Sequence, residues 1–180
     1  MVKNERTGQK IFVLCLGCQK SGTSWLHQYL SHSKNFDGGF NKEYHVWDYV
    51  DIEEQRKKID SSLSAMRFIA HLPNNIKLRR MRNTESYYFR YFNSLFSDEI
   101  SVTADITPSY SGLSKVRMKK IKNEMERLNI TVKPIILFRD PVERIKSAVR
   151  MNFNRRRRCL TSAPMEQIYV IELGRVSVSS

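Results

Sequence analysis

The sequence predicts a protein of the α/β class, with a P-loop-like three-layer α/β/α fold and a parallel central sheet. Two continuous apolar runs support this prediction, because strands buried on both faces belong to parallel sheets: KIFVLCLG at 10–17 and TVKPIILF at 131–138. Segments with helical spacing follow both runs, and strand and helix patterns alternate along the chain. Such folds bind ligands at the carboxyl ends of their strands. With 180 residues, no repeat and no Gly/Ser linker, the chain is expected to form a single domain over 1–180.

The first strand leads through a glycine-containing loop into a helix. Four apolar residues after the loop recur at helical spacing: Trp25, Leu26, Tyr29 and Leu30. Residues 35–41 are predicted to form a turn. An amphipathic helix is predicted over 52–70, with Asp51 as its N-cap and a stop at 71–75.

The middle of the chain repeats the alternation. A helix is predicted over 85–97, and its aromatic residues are expected to pack in the core: Tyr88, Phe89, Phe92 and Phe96. A short strand over 99–105 and a turn over 107–113 follow. The next helix, over 114–130, has a basic outer face, and its apolar residues are Val116, Ile121, Met125 and Leu128.

The second buried strand is broken after Phe138, and helical spacing resumes at residue 142 with Pro141 in a tolerated first-turn position. The segment 159–180 is an uncertain tail, with a short helix or strand expected over 165–173.

The amino-acid composition indicates the charge of the partners and the state of the cysteines. The net charge is +13, and residues 114–158 hold 15 Lys or Arg against 4 Asp or Glu, a net of +11. A positive field of this size attracts anionic partners without choosing among them. The three cysteines, Cys15, Cys18 and Cys159, cannot all pair, so reduced thiols and no CxxC zinc site are expected.

The sequence gives no indication of a membrane segment. No apolar run approaches the roughly 20 residues that cross a bilayer. The amino-terminal ten residues, MVKNERTGQK, are polar. No membrane span, no signal peptide and a cytoplasmic location are therefore expected.

The loop after the first strand carries the first chemical motif. In residues 17–24, GCQKSGTS, the glycines have the GxxxxG spacing of a Walker A loop, but Thr23 stands where that motif has lysine. A glycine turn that opens a helix exposes backbone N–H groups to an anion, and the helix dipole adds partial positive charge. The loop therefore predicts a phosphate-binding site whose one lysine, Lys20, lies inside it.

This loop resembles the 5′-phosphosulfate-binding loop of sulfotransferases, which use 3′-phosphoadenosine 5′-phosphosulfate (PAPS) as sulfuryl donor. The family signature PKSGTT/S is followed by a Trp or a small residue and then Leu; here Gln19 replaces the proline, and KSGTSWL matches the rest. The resemblance implies that Lys20 is catalytic. It also implies a set of donor-binding residues: Gln19, Lys20, Ser21, Gly22, Thr23 and Ser24.

A second motif supports the same family. Its members carry a strand that ends in Arg, followed eight residues later by a helical Ser, and both residues bind the 3′-phosphate of PAPS. The segment FRDPVERIKS supplies Arg139 and Ser147 at that spacing. An arginine fork and a hydroxyl donor suit a phosphomonoester.

A third segment, NKEYHVWD at 41–48, resembles the KExHFFD stretch of the heparan-sulfate-type, carbohydrate-modifying sulfotransferases. The resemblance implies that Glu43 is the catalytic base and that Lys42, His45 and Asp48 line the same pocket. The phenol and steroid sulfotransferases of the cytosol use a histidine as base, so His45 is the competing base. Alternating spacing in an extended segment would put Glu43 and His45 on one face.

The segment DITPSY at 105–110 resembles the KTPxY segment near the acceptor site of the family, with Ile106 in place of the lysine. The resemblance implies that Thr107 and Tyr110 contact the acceptor. Asp105, at the end of a strand, also resembles a Walker B aspartate, which keeps a P-loop nucleotide-dependent kinase as an alternative.

Together these motifs imply in-line sulfuryl transfer from PAPS to a hydroxyl or amine. The resemblance favours a carbohydrate acceptor, neutral or anionic, and a small-molecule acceptor such as an alcohol, an amine or a lipid headgroup fits the same residues. Lys20, Thr23 and Ser24 would meet the charge that develops on the leaving oxygen. No metal and no nucleic-acid partner are expected.

The resemblance covers residues 9–150. In the family the chain continues through further helices and a basic, glycine-containing loop, which the segment 159–180 does not offer. A C-terminally short member is therefore expected, or one whose partner supplies the missing wall. A non-catalytic polyanion-binding relative is the remaining alternative.

Overall fold

The computed structural model of the protein describes residues 8–62 and 72–161, with side chains described as far as Asn154 except that of Ser62. Four parallel strands form one sheet in the order β2-β3-β1-β4. The strands are β1 Lys10–Cys15, β2 Phe36–Asp37, β3 Val102–Asp105 and β4 Ile130–Ile135. The α-helices are α1 Thr23–Ser31, α2 Trp47–Asp51, α3 Glu53–Ser62, α4 Leu72–Asn83, α5 Glu85–Ser94, α6 Lys115–Arg127 and α7 Pro141–Thr161, and a 3₁₀ helix spans Pro108–Gly112.

The chain divides into two compact units, the first ending at Arg139 and the second beginning at Asp140. The sheet and helices α1 to α6 belong to the first unit, and α7 belongs to the second. The single-domain organisation stays a prediction.

Central strand β1 shows how the layers form. Successive side chains of a strand point to opposite faces. Phe12 and Leu14 therefore pack in a cluster with residues of α2, α4, α5 and α6, whereas Val13 and Cys15 pack in a second cluster with Leu26 of α1. The predicted α/β class and parallel sheet with flanking helices are confirmed, and the arrangement is consistent with three layers.

The larger cluster is aromatic, as the sequence predicts for α5. The ring of Phe12 lies edge-on to those of Tyr88 and Phe92, with centroid distances of 6.3 and 4.8 Å. Trp47 is fully buried and lies 4.8 Å from the Tyr88 ring. Aromatic pairs in such edge-to-face contact stabilise a core beyond the area that they bury. The cluster anchors α2 and α5 on β1.

Arg117 joins three helices at the edge of this cluster. Its guanidinium donates two hydrogen bonds of 2.7 Å to the carboxylate of Asp51, at the end of α2, and one of 2.7 Å to Glu85 of α5. The same guanidinium lies 4.8 Å from the centroid of the Trp47 ring. The prediction that Asp51 caps the following helix is wrong, because Asp51 is the last residue of α2 and α3 begins at Glu53.

Two other predictions in this region are wrong. Residues 72–75 of the stop predicted at 71–75 form the start of α4, where Pro73 occupies the first turn and its missing N–H costs no hydrogen bond. The turn predicted at 35–41 contains β2, which pairs with the beginning of β3. Of the helix predicted over 52–70, α3 accounts for 53–62, Ile52 lies between α2 and α3, and residues 63–70 lie outside the described residues.

Several apolar side chains that the sequence patterns predict to be buried are exposed. The β4 run is predicted to be buried on both faces, but β4 lies at the edge of the sheet described here, and its continuation includes Phe138, which is 84% exposed. In α1, Leu26 is buried, whereas Trp25 and Tyr29 stack on each other at the surface. In α6, Ile121 and Met125 are buried, but Val116 is exposed.

None of the helices within 8–62 and 72–161 combines the length and the apolar character that crossing a bilayer requires. Cys15 and Cys18 are free thiols. The cytoplasmic location stays a prediction, and the element expected over 165–173 lies outside the described residues.

Candidate functional site

The predicted site residues of the first unit follow the carboxyl ends of all four strands. Residues 16–22 follow β1, 38–46 follow β2, 106–112 follow β3 and 136–139 follow β4. The strands are parallel, so these four segments lie at the same edge of the sheet. The edge of the sheet that the fold class favours for ligands thus carries the chemical motifs.

The loop after β1 has a backbone that requires glycine at one point of close approach. Gly17 has φ of +94°, and a Cβ built on it would lie 2.5 Å from the carbonyl oxygen of Pro108. Gly22 has φ of +99° and precedes the first turn of α1. Lys20 also lies in the left-handed region, with φ of +64°. Left-handed positions are typical of backbone turns that bind anions, but in this loop the N–H groups of Cys18 and Ser21 already donate to the carbonyl oxygens of Leu137 and Cys18, at 3.2 and 3.3 Å.

Three hydroxyl groups lie in the loop and the first turn of α1. The Oγ atom of Ser21 is buried and has no hydrogen-bond partner among the described residues. Thr23 is only 6% exposed, whereas Ser24 beside it is exposed. The first N–H groups of α1 have no partner within the helix. An anionic ligand or water would satisfy both kinds of donor. Gln19, the first predicted loop residue, is exposed.

Arg139 lies against this loop. Its Nη1 donates a hydrogen bond of 3.3 Å to the carbonyl oxygen of Lys20. The guanidinium at the end of the β4 segment is therefore beside the predicted phosphate-binding loop. Ser147 belongs to α7 in the second unit, so its pairing with Arg139 at a 3′-phosphate stays a prediction.

Lys42 connects the loop to the carboxylate predicted as base. Its Nζ lies 3.1 Å from the Oγ of Ser24 and 3.4 Å from the Oγ1 of Thr23. The same ammonium lies 2.8 Å from the Oε1 of Glu43. The carbonyl oxygen of Lys42 accepts a hydrogen bond of 3.0 Å from the N–H of Ile106, just beyond β3. A cation from the loop after β2 thus lies beside Thr23, the residue that replaces the Walker lysine.

Glu43, His45 and Asp48 form a chain of side chains. The Nε2 of His45 lies 3.3 Å from the Oε2 of Glu43, and its Nδ1 lies 2.6 Å from the Oδ2 of Asp48. Glu43 is about one-third exposed, at 36%, whereas Asp48 is fully buried. The imidazole is therefore held between a carboxylate that solvent or substrate can reach and one that neither can reach.

The electrostatics of this chain determine which group carries a proton. Burial opposes protonation of His45, but its hydrogen bonds to Asp48 and Glu43 outweigh burial and raise the pKa of His45 to about 9. Burial favours the neutral acid for both carboxyls, yet His45 and Lys42 lower the pKa of Glu43, and His45 and Ser109 lower the pKa of Asp48. At neutral pH the imidazole is cationic and both carboxylates are ionised.

The structure adds two residues to which sequence reasoning assigned no role. Ser109 Oγ donates a hydrogen bond of 2.5 Å to the Oδ2 of Asp48. Arg82 of α4 donates from Nε to the carbonyl oxygen of His45 at 3.2 Å, and its guanidinium lies 4.1 Å from the centroid of the Tyr49 ring. Ser109 lies within the TPSY motif, which could have indicated a role for it. Arg82 lies in none of the motifs that the sequence analysis identified.

Thr107 and Tyr110 lie beneath the site, because both side chains are fully buried. Their hydroxyls donate to the carboxylate of Asp105, at 2.6 and 2.8 Å. Burial raises the pKa of Asp105 to about 6, against the hydroxyl groups that lower it. The direct contact of Thr107 and Tyr110 with an acceptor stays a prediction.

Within residues 8–62 and 72–161, His, Cys, Asp and Glu side chains form no group of three or more that could hold a metal ion. Comparison of the chain with protein-family models and with curated proteins gives no match.

Proposed function

We propose that this protein is a sulfotransferase that moves a sulfuryl group from PAPS to a hydroxyl or amine of a carbohydrate acceptor, with Glu43 as general base. One observation carries the proposal. The ammonium of Lys42 lies within hydrogen-bond distance of the loop hydroxyls of Thr23 and Ser24 and of the carboxylate of Glu43. An anion-binding loop and a carboxylate base are thereby adjacent, as transfer from a bound anion to a deprotonated acceptor requires.

The protonation states favour Glu43 over His45 as the base. A group with a raised pKa of about 9 is already protonated at neutral pH and cannot accept a second proton. Glu43 is ionised and partly exposed, so it can take the proton from an acceptor. His45 then orients Glu43 through Nε2, and Asp48 keeps His45 cationic.

The proposed step is an in-line displacement at sulfur. Glu43 takes the acceptor proton on a carboxylate oxygen while the acceptor oxygen or nitrogen forms a bond to sulfur. The bond from sulfur to the bridging oxygen of PAPS breaks, and its electron pair stays on the 5′-phosphate of the product nucleotide. Lys20, the hydroxyls of Thr23 and Ser24 and the loop N–H groups are the donors available to stabilise that charge.

The loop residues fit a phosphosulfate in chemistry. The buried Ser21 hydroxyl has no partner within the described part of the chain, and the first N–H groups of α1 have none within the helix. Arg139 is adjacent through the Lys20 carbonyl oxygen and can pair with a second phosphate.

A P-loop kinase is less well supported, because its Walker B aspartate must reach a hydrated magnesium ion. Asp105 is fully buried and accepts hydrogen bonds from three hydroxyl groups, those of Thr107, Tyr110 and Tyr88. Its lone pairs are thus largely occupied by the protein itself.

The first experiment measures binding of 3′-phosphoadenosine 5′-phosphate, the product nucleotide, by calorimetry. We expect binding that does not require magnesium, and a loss of at least about tenfold in affinity in Lys20→Ala and in Arg139→Ala, because each removes one cation from an anion site. Lys34→Ala is the matched control, since Lys34 is an exposed lysine beyond the end of α1. Glu43→Gln should bind the nucleotide normally and lose transfer from PAPS to saccharides.

Two results would contradict the proposal. Preference for magnesium ATP over the product nucleotide would indicate a kinase. Absence of nucleotide binding together with salt-sensitive binding of sulfated glycans, unchanged in Glu43→Gln, would indicate a non-catalytic polyanion-binding protein.

A further inference from the structure

Two hydroxyl groups hold the backbone of residues 44–47, the segment that follows the candidate base Glu43. Thr107 Oγ1 accepts hydrogen bonds from the first two N–H groups of the segment, at 3.0 and 3.3 Å. Tyr110 OH accepts from the next two, at 3.2 and 3.5 Å. Four consecutive backbone N–H groups thus bond to two side-chain oxygens, so the position of the segment depends on those side chains.

Both hydroxyls are in turn bound to one buried carboxylate at the end of β3. Thr107 donates to the Oδ1 of Asp105 at 2.6 Å, and Tyr110 donates to its Oδ2 at 2.8 Å. Tyr88 of α5 donates to the same Oδ2 at 2.9 Å, whereas the four N–H groups of 44–47 bond to Thr107 and Tyr110. Asp105 is fully buried at the end of β3, where it pairs in register with Leu14 of β1.

The carboxylate fixes the direction of these hydrogen bonds. A hydroxyl group has one hydrogen to donate and two lone pairs that accept. Because Thr107 and Tyr110 each give that hydrogen to Asp105, only their lone pairs are left for the segment. An amide or a protonated acid at position 105 would itself donate a hydrogen to one of the hydroxyls. That hydroxyl would then be free to point its hydrogen at a backbone N–H, which repels it.

The segment needs this support because its backbone is strained at His45. His45 has φ of +49°, a left-handed conformation that is unfavourable for a residue with a Cβ. Its N–H is held by Thr107 and its carbonyl oxygen by Arg82. Strained backbone of this kind persists only where surrounding contacts determine it.

We infer that Asp105 is a positioning residue for the reaction: through the hydroxyls of Thr107 and Tyr110 it sets the conformation of residues 44–47 and so the alignment of His45 with Glu43 and Asp48. The inference rests on the proposed function, in which Glu43 is the base. In this inference Thr107 and Tyr110 support residues 44–47 from the buried side of the site.

The test is an NMR titration of the His45 imidazole in the full chain, combined with thermal unfolding. The test variants are Asp105→Asn, Thr107→Val and Tyr110→Phe. Tyr88→Phe is the matched control, because it removes one hydrogen bond to Asp105 and leaves the acceptors of the 44–47 amides intact.

We expect the pKa of His45 to fall by about one unit or more in the three test variants, because the ring moves from its two carboxylates. In Tyr88→Phe it should stay within a few tenths of the wild-type value, about 9, although the protein is destabilised. Turnover should fall by about ten- to a hundredfold in the test variants, mainly in kcat, with unchanged affinity for the product nucleotide.

Equal effects of Tyr88→Phe and Thr107→Val on the His45 titration would overturn the inference, since Asp105 would then act on stability alone. An unchanged His45 pKa in all variants would overturn it too. If Asp105→Asn does not fold, the comparison of Thr107→Val with Tyr88→Phe decides. Failure of the proposed function appears separately, as absence of nucleotide binding in the wild type, while the titration still reports on the segment.

Discussion

The imidazole of His45 and the carboxylate of Asp48 form an ion pair in which Nδ1 lies 2.6 Å from Oδ2. Asp48 is fully buried and is also held by Ser109, so it cannot turn toward solvent. The proton on Nδ1 is therefore directed at Asp48, and Nε2 is directed at Glu43. Nδ1 of His45 therefore fixes the orientation of the ring, and Nε2 faces the candidate site.

The ion pair predicts how stability depends on pH. The pKa of His45 is about 9 in the folded protein, whereas an unperturbed histidine, as in the unfolded chain, has a pKa of 6.5. A raised pKa means that the stabilisation is fully present below pH 6.5 and is lost as pH rises through 9. We expect urea unfolding to show a loss on the order of 2–3 kcal/mol over this range, absent in His45→Gln. An equal loss in His45→Gln would show that other groups cause it.

The dependence of the reaction rate on pH distinguishes the two candidate bases. Glu43 has a lowered pKa, so with Glu43 as base the rate should be nearly constant from pH 6.5 to 8.5 and fall above about 9, when His45 loses its proton. With His45 as base, the rate would rise about tenfold per pH unit until about 9. Initial rates, measured as a function of pH with saturating PAPS and a fixed saccharide acceptor, distinguish the two candidate bases.

Lys42 is predicted to matter for both the loop and the base. Replacement in Lys42→Met removes the ammonium that touches Ser24 and Glu43, so transfer should fall by about a hundredfold. The pKa of Glu43 should rise, because Lys42 is one of the groups that lower it. Carbon NMR of the Glu43 carboxyl measures that shift. Lys34→Met, at an exposed lysine, should change neither quantity.

Much of the fold could be predicted because its central elements leave strong patterns. The β1 run is apolar on both faces and lies in the middle of the sheet, and the aromatic spacing of α5 matches a helix that buries one side. Helix α4 was missed because only Met81 of its twelve residues is buried and its Pro73-Asn74-Asn75 start is typical of a turn. Strand β2 has two residues, too few to form a pattern.

The sequence could predict the part of the site whose functional side chains lie close together in one short segment. The KExH segment brings Lys42, Glu43 and His45 together by sequence alone, and the structure keeps them in contact. The role of Arg82 was not predictable, because its contact with the His45 carbonyl oxygen depends on where α4 packs. Likewise, the spacing of Thr107 and Tyr110 does not predict that their hydroxyls bond to Asp105. That contact depends on the burial of both side chains, which is a property of the whole fold.

The two loop glycines predict different costs of substitution, and a comparison of them tests the loop geometry. Both have positive φ, so alanine at either position is strained by roughly 1–2 kcal/mol. At Gly22 the new Cβ meets nothing within 4 Å, whereas at Gly17 it would lie 2.5 Å from the backbone oxygen of Pro108. Gly17→Ala must therefore displace the loop from the 3₁₀ helix. We expect it to lose clearly more stability in urea unfolding than Gly22→Ala, and to weaken binding of the product nucleotide. Equal losses of stability in the two variants would mean that the loop does not approach Pro108 as described.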